Sequence, residues 1–551
     1  MFVNEAAYLA ALVAPFGPAA GPDGVSFAEA RTLDDLDQAA DKLAGTFAVA
    51  MPEGVWPRMT VSVPVSRLAD FKPANVAKNC PELAAVLRAA AFVDEAPGKG
   101  LTLADMARAL GEDFGPLPLD FSLPAGSGPE ASPAAPSAAK DAGPSAGAID
   151  AILDMVAAPG AAPAPSSLSG LAASWKRGLL ALAGEILAAV FADPDFRAAE
   201  TAWRGARFIL QNADRDSPFG LSLVCAERDG LVDALTAVVR RFGETPPGML
   251  LVDAFLDAAP ARMAVWEVLA ETAQTLVAPC GAALSPSFFH LKDWSEASRI
   301  GYPSTAIADP SFAKWRKLAA APEGAMLAAL FNRMALRPAY GPENPARPVP
   351  FSESEPLWAS PVYALGAAVA RSFRVNGWPH LFGVGGGVIL DDLAVTVRGG
   401  RAACVEVLLS DDQLLDFGKA GFMPLGSKSG GDAAFFRRPV AVDGSTFAMG
   451  LFLSRVLGFF FASRADERLQ DAAEKGNLDK LAGLLEMRFN LFFEHTGHAA
   501  PGELSIEAEA AAPGQGAGEG GERPGVRLAI RFRPTPSLGL GTQSIAFSFL
   551  W

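Results

Sequence analysis

Asp193-Pro-Asp-Phe-Arg-Ala-Ala-Glu-Thr-Ala-Trp203-Arg-Gly-Ala-Arg-Phe-Ile-Leu210, followed by Leu221-Ser-Leu-Val-Cys225, is the stretch on which the fold turns. Asp193 can cap a helix, and proline is tolerated at the first helical position, so Asp193-Pro194 marks a helix start. Phe196, Ala199, Trp203, Ala206 and Leu210 then recur at spacings of three, four, three and four, which gives one apolar face. The short apolar run Leu221–Cys225 reads as a strand, and Met249–Phe255 as a second. Ala259–Val277 reads as the helix after it. Such alternation predicts an α/β fold with helices packed on a sheet. Further helices are predicted over Ala313–Asn332, Pro361–Asn376 and Leu478–Phe493, and a strand over Ala402–Leu409. The end is β-rich. Val526, Leu528, Ile530 and Phe532 alternate with polar or small residues, as do Ile545, Phe547, Phe549 and Trp551.

Upstream of the capped helix the composition changes. Residues 116–170 are rich in proline, alanine, serine and glycine, which cannot bury enough apolar surface to offset ordering entropy, so they read as a linker. Within it, Ala148–Val156 could form a short helix. The organisation expected is a small α/β domain at 1–115, a linker at 116–170 and a large α/β domain at 171–551. In the small domain, Met59–Val65 alternates like a half-buried strand. Ser66–Cys80 reads as a turn and helix entry. Pro81–Phe92 carries Leu83, Val86 and Leu87 on one helical face. The opening Phe2–Val13 reads as a helix.

Half of the 551 residues are hydrophobic, ample for sizeable cores. The 61 acidic residues exceed the 46 basic ones, a net charge of −15, and no basic run appears. Nucleic acid is therefore not an expected partner, because phosphate binding needs clustered lysine and arginine. Cys80, Cys225, Cys280 and Cys404 form no CxxC pair and lie in apolar surroundings, as reduced thiols of a cytoplasmic protein do. No signal peptide is evident. The most apolar run, Phe447–Ala462, holds Arg455 and two glycines and is short for a bilayer, so it reads as a core helix and membrane insertion is not expected.

Few residues suggest chemistry. Gly383-Val-Gly-Gly-Gly387 lacks the Lys-Ser/Thr of a phosphate loop, and Asp391-Asp392 would repel a phosphate. Glu494-His495-Thr-Gly-His498 offers two histidines, but Thr496-Gly497 suggests a helix end and no third ligand is visible. His290 and His380 stand isolated, and Ser298 and Ser372 sit in no nucleophile elbow. No catalytic residue, cofactor site or metal site is expected, and the chain does not read as an enzyme.

Several segments in order resemble the large subunit of the type VI secretion contractile sheath (the VipB, ImpC or EvpB family). They are Asp193–Gly205; Leu284-Ser-Pro-Ser-Phe, Asp293-Trp294 and Phe312-Ala-Lys-Trp315-Arg316; Arg337-Pro-Ala-Tyr340-Gly341, Trp358-Ala and Arg371-Ser-Phe373-Arg-Val-Asn-Gly377-Trp378; and Glu406-Val-Leu-Leu-Ser-Asp411 closing on Gly421-Phe-Met-Pro-Leu425. The family's glycine pair, followed by an acidic residue and leucine (here Asp392-Leu393), implies that the 383–387 run serves a tight turn. The family's glutamate before that pair is replaced by Gly385. Met59-Thr-Val-Ser-Val-Pro-Val, Leu68-Ala-Asp-Phe-Lys-Pro73 and Pro81-Glu-Leu83 are similar to the small sheath subunit, which implies a fusion of two subunits that are normally separate. That subunit's leading strand is missing where Phe2–Val13 reads as helix.

The resemblance implies a mechanical role. Copies would polymerise helically around an inner tube protein, and a baseplate signal would release contraction that drives the tube outward. A separate small sheath subunit and a recycling unfoldase are further partners it suggests. The competing class is a non-contractile sheath-like, baseplate or shell protein. The family is thought to link neighbours by exchanged strands, and the apolar terminal strand of Ile545, Phe547, Phe549 and Trp551 is the candidate for that link.

Overall fold

The computed structural model describes residues 7–18, 24–123, 168–214, 217–227, 229–398, 400–510 and 525–551. In chain order its strands are β1 (Tyr8–Ala14), β2 (Val25–Ala30), β3 (Thr46–Ala50), β4 (Thr60–Pro64), β5 (Phe219–Ala226), β6 (Met249–Leu256), β7 (Cys280–Leu284), β8 (Leu327–Phe331), β9 (Met334–Arg337), β10 (Leu357–Ala359), β11 (Thr396–Arg398), β12 (Arg401–Ala403), β13 (Phe422–Ser427), β14 (Ala434–Phe436), β15 (Gly502–Ala510), β16 (Val526–Arg533) and β17 (Ile545–Leu550). Eight of these form one sheet in the order β14-β13-β8-β7-β6-β1-β5-β2. The six inner strands are parallel, and β2 and β14 close the edges antiparallel.

The pleat sends alternate residues into two helical layers. Tyr8, Ala10, Leu12 and Ala14 of β1 face one core, shared with the helices Leu168–Ala192, Pro194–Asn212 and Pro361–Asn376. Ala11 and Val13 face the other, shared with Leu231–Phe242, Pro260–Leu276, Ala313–Ala320 and Asp411–Lys419. The fold is α/β, as the alternation implied. The helix that decided that reading starts where expected. Asp193 accepts from the backbone N–H groups of Asp195 and Phe196 at 3.1 and 2.9 Å.

Three local expectations are corrected. The opening segment is strand from Tyr8, not helix. The predicted helix Ala313–Asn332 ends at Ala320, after which Leu327–Phe331 is β8. Of the predicted strand Ala402–Leu409 only Ala402 and Ala403 lie in a ladder, and Val405 makes an isolated antiparallel bridge to Met334. Beyond it the segment is held by the Asn332 side chain, which accepts from the Val407 N–H at 3.0 Å and donates to the Val407 and Leu425 carbonyls.

The boundary at residue 115 does not separate two cores. β1 lies between β5 and β6, pairing with β5 over Tyr8–Ala14 and with β6 over Ala10–Val13. The β3–β4 hairpin and the helix Pro81–Glu95 share the core of the large sheet. Phe47 and Phe71 set their rings 5.6 and 5.2 Å from that of Phe196. The physical reason is that a parallel strand has no core of its own and needs neighbours on both sides and helices on both faces. The linker's flanks are also structured. Phe121 packs edge-on against Trp175 at 5.9 Å, and helix begins at Leu168. The remainder of the expected linker, including Ala148–Val156, lies outside the described residues.

A C-terminal unit completes the molecule. The antiparallel meander β15-β16-β17 packs on the helices Phe447–Ser463 and Leu478–His495 around its own core. Among the described residues no single helix is long and apolar enough to cross a membrane.

Candidate assembly surface

The C-terminal meander exposes what the sequence singled out. In β16, Val526, Leu528, Ile530 and Phe532 point inward and are buried, while Arg527, Ala529, Arg531 and Arg533 face solvent. β17 repeats the alternation at the sheet's edge. Ile545, Phe547 and Phe549 are half-buried, and Ala546, Ser548 and Leu550 are exposed. The Phe549 ring lies 5.8 Å from Phe460 and 5.5 Å from Phe461, and Trp551 Nε1 donates to the Phe460 carbonyl at 3.0 Å. The structure therefore brings Ile545, Phe547, Phe549 and Trp551 together as one apolar row, and in this chain that row fills the edge of its own unit.

The backbone of β17 is only half used. Trp551 N–H donates to the Val526 carbonyl at 2.8 Å, so the odd-numbered residues direct their N–H and C=O groups toward β16. The even-numbered residues direct theirs outward. The Leu550 carbonyl accepts from Arg464 at 2.7 Å, which covers one end of this edge. Ala546 and Ser548 leave an outward-facing edge of the kind that accepts another strand.

Sequence reasoning missed a buried ion network, because its members lie far apart in the chain. Arg337 in β9 donates from Nε and Nη2 to the two oxygens of Glu200, at 2.8 and 2.9 Å, and also contacts Glu353. Arg204 donates to Glu200 at 2.8 Å and Arg197 to Glu353 at 2.7 Å. Glu200 is fully buried. Burial pushes its pKa up, but the Arg337 hydrogen bonds and the charges of Arg204 and Arg337 outweigh that and hold it below the ordinary value. The one available signal was Arg337 and Glu200 each falling within a family-like segment.

Other residues weighed for chemistry have structural places. Gly383–Gly387 forms a tight 3₁₀ turn in which a Cβ on Gly386 would lie 1.9 Å from the Leu381 carbonyl oxygen, and Gly387 has φ +74°. The helix bearing Glu494 ends at His495, and His498 turns to Ser537 Oγ at 3.0 Å. His380 is buried beside the Leu538 carbonyl at 3.0 Å, and burial lowers its pKa to about 4. All four cysteines are free and buried, and burial pushes the Cys280 thiol up to about 12.

A crevice of 590 Å³ opens at the carboxyl ends of β1 and β6, lined by Pro15, Asp253, Phe255, Arg333, Trp358 and Ser360. That end of an α/β sheet is where small ligands bind in other folds. Here Asp253 accepts from the Tyr363 hydroxyl at 2.6 Å and Arg333 forks onto Glu406 at 2.7 and 2.8 Å, so both groups have hydrogen-bond partners within the chain. Among the described residues no three His, Cys, Asp or Glu side chains gather to hold a metal.

Comparison with known proteins gives three results. Residues 181–442 match the VipB family model, described as the EvpB/VC_A0108 tail sheath N-terminal domain. The chain is 25% identical over 308 residues to the type VI secretion system sheath protein TssC1 of Pseudomonas aeruginosa, covering 49% of this chain and 62% of that protein. Among solved structures, a component of the anti-feeding prophage baseplate is similar at 11% identity and a TM-score of 0.33. The PVC sheath complex of an extracellular contractile injection system in its contracted state is similar at 9% identity and a TM-score of 0.32. Each of these alignments covers 64% of this chain and 76% of the other.

Proposed function

We propose, from the match of residues 181–442 to the tail sheath N-terminal domain model, that the chain is a structural subunit of a contractile sheath of the type VI secretion class. Copies stack helically around an inner tube, anchored on a baseplate, and contraction drives the tube outward. The observation that carries this reading is the family match over residues 181–442, from within helix Leu168–Ala192 to just beyond β14. The edge of β17 supports it, since heterologous contacts that do not close into a ring are what build filaments. The role is mechanical, exercised in the cytoplasm, with no step of bond-making. A recycling unfoldase belongs to the same reading.

The segment before residue 115 supplies in this chain what a separate small subunit supplies elsewhere. Its place in the sheet supports that: β1 fills the position between β5 and β6, which the rest of the chain leaves open. The Met59–Leu83 resemblance to the small subunit points the same way.

Electron microscopy of the purified protein tests the function. Tubes in a long and a short form are the expected result. Tubes of one length only would make the chain a non-contractile lattice protein, and persistent monomers at high concentration would remove the sheath reading.

A further inference from the structure

Helix Phe447–Ser463 belongs to two cores at once. Phe447 and Leu451 pack in the core of the sheet body, and Phe452, Val456, Phe459 and Phe460 pack in that of the C-terminal unit. In the middle of this apolar helix stands Arg455, 1% exposed. Its guanidinium carbon lies 5.3 Å from the ring centroid of Phe373 and 5.1 Å from that of Phe492. Phe373 belongs to the body, on helix Pro361–Asn376, and Phe492 to the C-terminal unit, on helix Leu478–His495. The Phe373 ring in turn touches Tyr8 at 5.0 Å, and the Tyr8 hydroxyl donates to the Gly248 carbonyl at 2.8 Å, at the start of β6. One buried cation thus lies within reach of an aromatic ring of each unit, and one of those rings touches Tyr8 of β1.

A guanidinium in such a place is costly to desolvate, and an apolar side chain of similar volume would fill the space with less penalty. What the guanidinium adds is geometry. It is planar and attracts ring faces on both sides, so its favourable energy depends on both rings being held in place. An aliphatic chain tolerates a range of angles between the same neighbours. Other ties across this joint are the buried Trp378, whose ring lies 5.1 Å from those of Phe452 and Phe493 and whose Nε1 donates to Thr496 Oγ1 at 2.9 Å, the buried His380, whose Nε2 meets the Leu538 carbonyl at 3.0 Å, and His498 Nε2 with the Asn376 carbonyl at 3.3 Å. We propose that Arg455 is a positioning residue that fixes the C-terminal unit at one angle to the sheet body, so that a pull on β17 reaches the sheet without being absorbed at the joint. The consequence for pulling rests on the proposed function; the fixed angle does not.

The test reads the joint in the unassembled full-length chain. Spin labels are placed on cysteines introduced by Lys314→Cys in the body and Glu507→Cys in the C-terminal unit, both exposed positions, while the four native thiols are buried. The distance between labels is measured by pulsed electron resonance. The parent is expected to give one narrow distance. Arg455→Met, which keeps the bulk, is expected to keep the circular dichroism and cooperative melting while its distance distribution broadens or splits. An Arg455→Met distribution as narrow as the parent's overturns the proposal, because packing alone would then set the angle. If Arg455→Met does not fold, Phe492→Leu replaces it, keeping the cation and removing one ring. Broadening then supports the joint, and a distribution as narrow as the parent's overturns it. Failure of the parent to form tubes would bear on the proposed function and leave this measurement intact.

Discussion

At the scale of single residues the molecule relies on a few buried groups. Trp203 is fully buried, its ring 4.8 Å from Phe16, and its Nε1 donates to the Phe16 carbonyl at 2.6 Å. Trp203→Ala is expected to cost about 3–5 kcal/mol from the cavity alone, with a further cost for the orphaned carbonyl. Denaturant titration checks it, and a variant within experimental error of the parent would mean the cavity collapses. Glu200 gives a pH dependence. Its folded pKa is depressed, so its contribution to stability is present above the unfolded carboxylate value of about 4.3 and is lost as pH falls through the lower folded value. Glu200→Gln is expected to lose about 3–5 kcal/mol near neutrality, as one partner of a buried pair is removed. Its stability should then fall less steeply in acid than the parent's. Equal acid slopes in urea melts at several pH values would show that Glu200 is not the group titrating. The apolar face of Trp203 was legible because it lies within one helix. The Arg337 network was not, because Glu200 and Glu353 meet only through the fold.

At the scale of elements, two misreadings share one cause. β1 contains Leu9-Ala-Ala-Leu12 and β8 contains Leu327-Ala-Ala-Leu330, and both segments were expected to be helix. Both are inner parallel strands, buried on two faces, so neither shows the polar alternation that marks a strand with one wet face. Alanine and leucine favour helix locally, and pairing with two neighbours overrides that preference. The C-terminal strands were legible for the opposite reason: one face is wet, and period two is written in β16 and β17. The edge of β17 carries a prediction. Proline at Ser548 removes an outward-facing amide and leaves the odd-numbered bonds to β16 in place, a position where edge strands tolerate proline. Ser548→Pro is expected to fold with native-like circular dichroism and to lose the large assembled species in sedimentation. Removing residues 543–551 is a poorer test, because Phe549 and Trp551 also cover Phe460. Normal assembly of Ser548→Pro would mean that β17 only completes its own unit.

At the scale of the whole molecule, the domain boundary that composition suggested at residue 115 runs through a core shared by the segments on both sides of it. The stretch rich in proline and alanine separates the chain in sequence without separating its cores, because β1 belongs to the sheet that β5 and β6 build. Helix Pro81–Glu95 likewise packs on Leu168–Ala192, with Asp94 bonded to Lys176 at 2.6 Å. If so, the covalent connection matters less than the strand it delivers. A split pair, residues 1–123 and residues 168–551 expressed together with a tag on one piece only, is expected to co-purify in equal amounts with the parent's circular dichroism. Joining the pieces mainly spares the entropy of bringing them together, which grows only slowly with the length of the connecting loop. The split pair should therefore melt lower than the parent, and more so on dilution. Alone, residues 168–551 are expected to be insoluble. Without β1, strands β5 and β6 each lose a hydrogen-bonded neighbour, and the inward faces of Trp203 and Phe219 lose Phe16 and Tyr8. A slot of that kind between two parallel strands exposes edges that recruit other chains. A soluble, monomeric fragment 168–551 with its own cooperative transition would show instead that the large region folds independently and that β1 is an addition to a finished sheet.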